Sequence, residues 1–181
     1  MQESKWDLSR LSAGERNALK RSAGTMMGSA GMLAVEAFYR AQTSGCSAYV
    51  EKAWFAAMCM QCLWREEDHP LVKPLPELLR TVYQDPEATE STRRNAVSFL
   101  DLSWGDDGFL LGKLCSWVKK LRAAHPETMP DFSLLAEDLA QWNHADRYVQ
   151  RRWLNTICRT VQESAKKEQS EGNEEETNNV D

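Results

Sequence analysis

Three observations predict an all-α fold. Apolar residues recur at three- and four-residue intervals through most of the chain, and no useful length alternates with period two. Pro70, Pro74 and Pro76 interrupt the middle, where they remove backbone donors and fix local φ. The expected architecture is a helical bundle in two small lobes joined by this proline-containing connector. Its divisions are an amino-terminal helical lobe over 1–66, a connector with a short helix over 67–89, a carboxy-terminal helical lobe over 90–165, and a disordered acidic tail over 166–181. A chain of 181 residues with 42% hydrophobic content can bury such a core without staples.

The elements follow in order. Ser12-Ala-Gly-Glu15 is a capping box, so a helix runs from there to about Arg21. Gly24, Gly28 and Gly31 break it, and Met32 to Tyr39 forms a short second helix. After Ser44 and Gly45, Ala48 to Trp64 is rich in Ala, Met and aromatic residues and reads as the most buried helix. Beyond the connector, Glu77 to Tyr83 and Glu90 to Leu102 are helical, and Trp104-Gly-Asp-Asp-Gly108 is turn chemistry. Phe109 to Ala124 places Leu110, Leu114, Trp117 and Leu121 on one face, with Lys113, Lys119, Lys120 and Arg122 on its polar side. Asp131 caps a helix lined by Leu135, Leu139 and Trp142, and Asn143-His-Ala-Asp146 reads as a further cap. The last helix buries Val149, Trp153, Ile157 and Val161, with Arg147 and Arg151 on its other side.

Charge and cysteine usage narrow the function classes. The formal charge of -5 is that of the tail, where seven acidic residues from Glu163 onward face only Lys166 and Lys167. The rest is balanced, so any nucleic-acid binding must come from local patches and not from a general positive field. Five cysteines, an odd number, and no amino-terminal apolar signal core point away from a disulfide scaffold and toward the reducing cytoplasm. The longest apolar stretches are interrupted and too short to cross a bilayer, so no membrane is expected.

Motifs for chemistry are sparse. Cys59-Met-Gln-Cys62 has metal-like spacing, with Cys46 and His69 as the nearest further ligands, but it lies in an apolar helix where cysteine acts as a small hydrophobe. None of His69, His125 and His144 sits in a nucleophile motif, and the pairs Glu66-Glu67 and Asp106-Asp107 lie in connectors where carboxylates are solvated. No phosphate-cradling glycine loop is present. The expectation is therefore no enzyme, no catalytic residue, no metal and no cofactor.

The basic pairs Lys20-Arg21, Arg93-Arg94, Lys119-Lys120 and Arg151-Arg152 are spread over four helices. They can follow a phosphate backbone if the bundle brings them to one groove; otherwise they are solvated helix faces. Of seven tryptophans, Trp54, Trp117, Trp142 and Trp153 fall on apolar stripes, while Trp6, Trp64 and Trp104 are uncommitted between stacking on bases and packing on a partner.

The segment Asp138-Leu-Ala-Gln-Trp-Asn-His-Ala-Asp-Arg-Tyr-Val-Gln-Arg-Arg-Trp153 closely resembles the carboxy-terminal signature of CasB-type small subunits of the type I-E CRISPR complex, Cascade. Leu11 to Gly24 resembles that family's first helix and Ala37-Phe-Tyr-Arg40 its following motif, in the same order. The resemblance implies a non-catalytic helical subunit of an antiviral surveillance complex, present in two copies. Its partners would be CRISPR guide RNA, target DNA including the displaced single strand, the other Cascade subunits and a second copy of itself. Carried over by motif position, the nucleic-acid-binding residues would be Lys20, Arg21, Arg94, Lys119, Lys120, His144, Arg147 and Arg151. They would stabilise the R-loop and the displaced strand. A helical protein–protein adaptor without direct nucleic-acid contact is the alternative.

Overall fold

The computed structural model describes residues 5–64, 70–105 and 108–159. It is helical almost throughout, as expected. Its helices are α1 (Ala13–Arg21), α2 (Met32–Ala41), α3 (Ala48–Gln61), α4 (Leu75–Tyr83), α5 (Glu90–Ser98), α6 (Phe109–Ala124), α7 (Phe132–Ala140) and α8 (Tyr148–Cys158). The acidic pairs Glu66-Glu67 and Asp106-Asp107, together with His69, Val161 and the acidic tail, lie outside the described residues.

Side-chain caps set three of the eight described helix starts, those of α1, α5 and α7. The Ser12 hydroxyl accepts from the Glu15 amide at 3.3 Å while the Glu15 carboxylate accepts from the Ser12 amide at 2.8 Å, which is the expected capping box. Glu15 then reaches Arg40 at 2.7 Å and so ties α1 to α2. Asp131 caps α7 by accepting from the Leu134 amide at 2.9 Å.

Four elements differ from the sequence reading. α3, read as running to Trp64, ends at Gln61. α4 begins at Leu75, because Pro76 falls in the first turn, where a helix has no use for the missing N–H. The predicted helix over 90–102 tightens after Ser98 into a 3₁₀ turn, Phe99–Asp101, which brings Phe99 and Leu100 into the core. No cap forms at Asn143–Asp146; the residue before α8 is Arg147, left-handed at φ 49° with no side-chain cap. Two three-residue strands, β1 (Leu71–Lys73) and β2 (Thr128–Pro130), also pair in parallel, with Leu71 opposite Thr128 and Lys73 opposite Pro130.

The core is one continuous cluster. α3 packs most extensively against α7, α1 against α2 and α3, and α8 against α4. Trp142 and Trp153 meet edge-to-face at 5.4 Å, and Phe99 lies 6.4 Å from the first and 6.1 Å from the second. Both indole N–H groups are satisfied, Trp142 by the Leu102 carbonyl at 2.8 Å and Trp153 by Asp138 at 2.6 Å. The residues Asp138, Trp142, Gln150, Arg152 and Trp153 thus lock α7 to α8.

Candidate nucleic-acid interface

Phosphate binding needs cations that are exposed and not spent on carboxylates. Lys20 and Arg21 meet this at the end of α1, as do Lys119 and Lys120 on the outer side of α6; all four are exposed and form no ion pair with a described residue. The α1 and α6 groups lie close together. After α1 the chain turns at Gly24, whose φ of +86° is left-handed and whose hypothetical Cβ would stand 2.8 Å from the Cys115 Cβ of α6. Only glycine permits that approach.

Buried thiols lie beneath these charges. Burial pushes Cys62 up to about 12, against the nearby positive charges of Arg16 and Lys20. Burial also raises Cys115, opposed by the Lys119 ammonium beside it. Cys59, fully buried, is raised well above the ordinary thiol value, first by burial and then by the two neighbouring thiols. Lys20 and Lys119 therefore flank one buried cysteine cluster at the carboxy-terminal end of α3. Arg122 joins them from α6, its guanidinium 5.8 Å from the ring of Trp64, and Lys120 lies 4.7 Å over Trp117. Sequence reasoning placed Arg122 on the polar side of its helix but left it and Arg16 out of the site. The signal was available in the spacing of Lys119 and Arg122, yet its direction depended on packing that no local pattern specifies.

The other four predicted residues sit on other elements and are differently engaged. Arg94 on α5 pairs with Glu90 at 3.7 Å. Arg147 donates to the Leu100 carbonyl at 2.7 Å and meets Asp101 at 3.3 Å, holding the start of α8 to the 3₁₀ turn. His144 lies 3.7 Å from Asp146 and packs edge-on to Tyr148 at 5.1 Å. Arg151 is exposed, and its guanidinium lies 3.5 Å from the Asp146 carbonyl. Of the basic pairs, Arg152 is spent on the buried Asp138.

The Cys59-Met-Gln-Cys62 spacing serves packing. Zinc ligation and nucleophilic attack both need the thiolate, which burial disfavours at both cysteines. Among the described residues, no three His, Cys, Asp or Glu side chains gather as metal ligands would. No helix among them is long and apolar enough to cross a membrane.

The family model for CRISPR-associated protein Cse2 matches residues 15–156, most of the chain and all of α1 beyond its first turn through most of α8. This chain belongs to the Cse2 family. Cse2 is the small subunit of type I-E systems, the family that the Asp138–Trp153 segment resembles. A chain of a solved "CRISPR RNA-guided surveillance complex" shares the fold, with a TM-score of 0.64 and 20% identity over 86% of this Cse2 chain and 88% of that one. No curated protein sequence matches it. The Cse2 signature is thus also the α7–α8 lock, and its basic residues divide between that lock and the surface.

Proposed function

We propose that this Cse2-family chain is a non-catalytic, cytoplasmic small subunit of a type I-E CRISPR surveillance complex that holds nucleic acid by its backbone. One observation carries the reading: Lys20 and Lys119, exposed and without ion pairs to described residues, flank the same end of α3, with Arg21 and Lys120 beside them. The carboxy-terminal end of a helix also favours cations, so the cluster is compatible with a folded chain of near-neutral body charge. Its exposed ammonium groups would release counterions from a phosphate backbone without reading bases.

Opening a duplex against a guide is a nearly balanced exchange of base pairs, so a few such contacts tip it toward the open state. In this reading the ligands are guide RNA and target DNA, the displaced strand included, and the neighbours are the other complex subunits and a second copy. The buried, proton-holding thiols and the exposed, motif-free histidines support a subunit without chemistry of its own.

The substitution of Lys20 and Arg21 together by alanine tests the assignment in the assembled complex. Target capture is expected to weaken while the circular dichroism of the isolated chain stays unchanged; undiminished capture counts against it. The adaptor reading draws on the exposed Met32 and Leu33 of α2. Filter binding of the assembled complex separates the two, since an adaptor without nucleic-acid contact adds no retention at low or high salt.

A further inference from the structure

We propose that the acidic run from Glu168 to Glu176 docks on the cations of α1 and α6 when no nucleic acid is bound, so that a strand must displace it. This rests on the backbone-binding reading above and adds to it a competitor carried by the same chain.

Charge complementarity names the occupant. Arg10, Arg40, Arg94, Arg147 and Arg152 each meet a carboxylate and have little charge left for a second anion. Lys20 and Lys119, near the end of α3, and Arg21 and Lys120, which follow them on α1 and α6, are exposed and meet no carboxylate among the described residues. Arg122 adds a guanidinium held over the Trp64 ring. The matching negative charge lies in the carboxy-terminal sequence. From Glu168 to Glu176, nine residues carry five carboxylates and neither a cation nor an apolar side chain. With nothing apolar to bury, pairing with cations is the attraction such a run has to offer.

The tether is long enough. The last described residue is Arg159, whose carbonyl accepts from the Gln84 side chain just beyond α4. Glu174 follows fifteen residues later. That length spans up to about 50 Å, against about 40 Å for the diameter of a domain of this size. α8 and α6 also pack against the same 3₁₀ turn, Phe99–Asp101, so the tether starts beside the helix that carries Lys119. Tethering gives an effective concentration on the order of millimolar, at which weak exposed ion pairs suffice. A separate acidic protein would have to match that concentration from solution, which favours the chain's own run. A long strand offers a phosphate at every nucleotide and displaces the run; an isolated nucleotide does not.

Zero-length carbodiimide crosslinking of the full chain, read by mass spectrometry, tests the contact. Mixing isotope-labelled and unlabelled chain separates links within one copy from links between copies. Links from Glu174, Glu175 or Glu176 to Lys20, Lys119 or Lys120 within one copy are expected, and saturating single strand should remove them. Links spread evenly over the exposed lysines, or formed only between copies, overturn the proposal. Affinity for a short single strand is then compared between wild type and a full-length variant carrying Glu168→Gln, Glu171→Gln, Glu174→Gln, Glu175→Gln and Glu176→Gln. The variant should bind about 3- to 10-fold tighter at low salt, with the difference shrinking as salt rises. Equal affinity at low salt overturns the proposal. So does an equal gain from the glutamines in a Lys20→Ala, Lys119→Ala background, because general repulsion would then explain it. If the alanine pair weakens binding while the glutamine variant matches wild type, the docking falls alone. If the crosslinks form but persist under saturating strand, and the alanine pair binds as wild type, the backbone reading falls and the docking stands.

Discussion

Burial at Asp138 sets competing demands on one carboxylate. Desolvation raises its pKa above the ordinary aspartate value, and the bonds from Trp153 and Arg152 recover part of that cost. Because the folded value stands above the unfolded 3.8, this group favours the native state at low pH, and the contribution is lost as pH rises through the folded value. Asp138→Asn removes the titration. Urea midpoints from pH 3.5 upward should show wild type losing stability relative to the variant as pH rises; parallel profiles would refute the assignment. Position 138 is also where a family signature and a structural necessity coincide, and sequence alone could not separate the two. The same limit applies to Arg147, legible as a cation but not as the clamp on Leu100 and Asp101.

Helices were legible where local chemistry decides them. The capping box at Ser12, the Asp131 cap and the apolar face of α6, whose bounds Phe109–Ala124 match the periodicity, needed no tertiary information. β1 and β2 were not legible, because three residues are too few to show alternation and their register is set across 57 positions of chain, Leu71 to Thr128. The α1–α6 approach belongs to the same class: Gly24 reads as a helix breaker, while its contact with Cys115 exists only in the folded chain. Gly24→Ala combines a disfavoured positive φ with a Cβ 2.8 Å from Cys115, so it should cost at least about 2 kcal/mol in chemical denaturation. A loss below about 0.5 kcal/mol would mean that the two elements can separate freely, as ordinary surface substitutions do.

At the scale of the molecule, charge is local and not global. The eight predicted residues do not form one group: Lys20 and Lys119 stand with Arg122 near the end of α3, Arg21 and Lys120 follow them on α1 and α6, and Arg94, His144, Arg147 and Arg151 belong to α5 and to α8 with the segment before it. The pairs along the chain showed which residues are basic; only packing showed which keep their charge available. The proposed division at the 67–89 connector places the α3–α7 contact between the lobes. An interface of that extent couples their unfolding, and one cooperative transition by both fluorescence and circular dichroism is expected.

The central claim is that Lys20 and Lys119 meet phosphates directly. Its sharpest test is the dependence of single-strand affinity on salt in the assembled complex, for wild type and the Lys20→Ala, Lys119→Ala variant. Each lost phosphate contact lowers the slope of log affinity against log salt by about 0.7, so the pair should lower it by about 1.4. An unchanged slope, with the fold intact, would contradict the account.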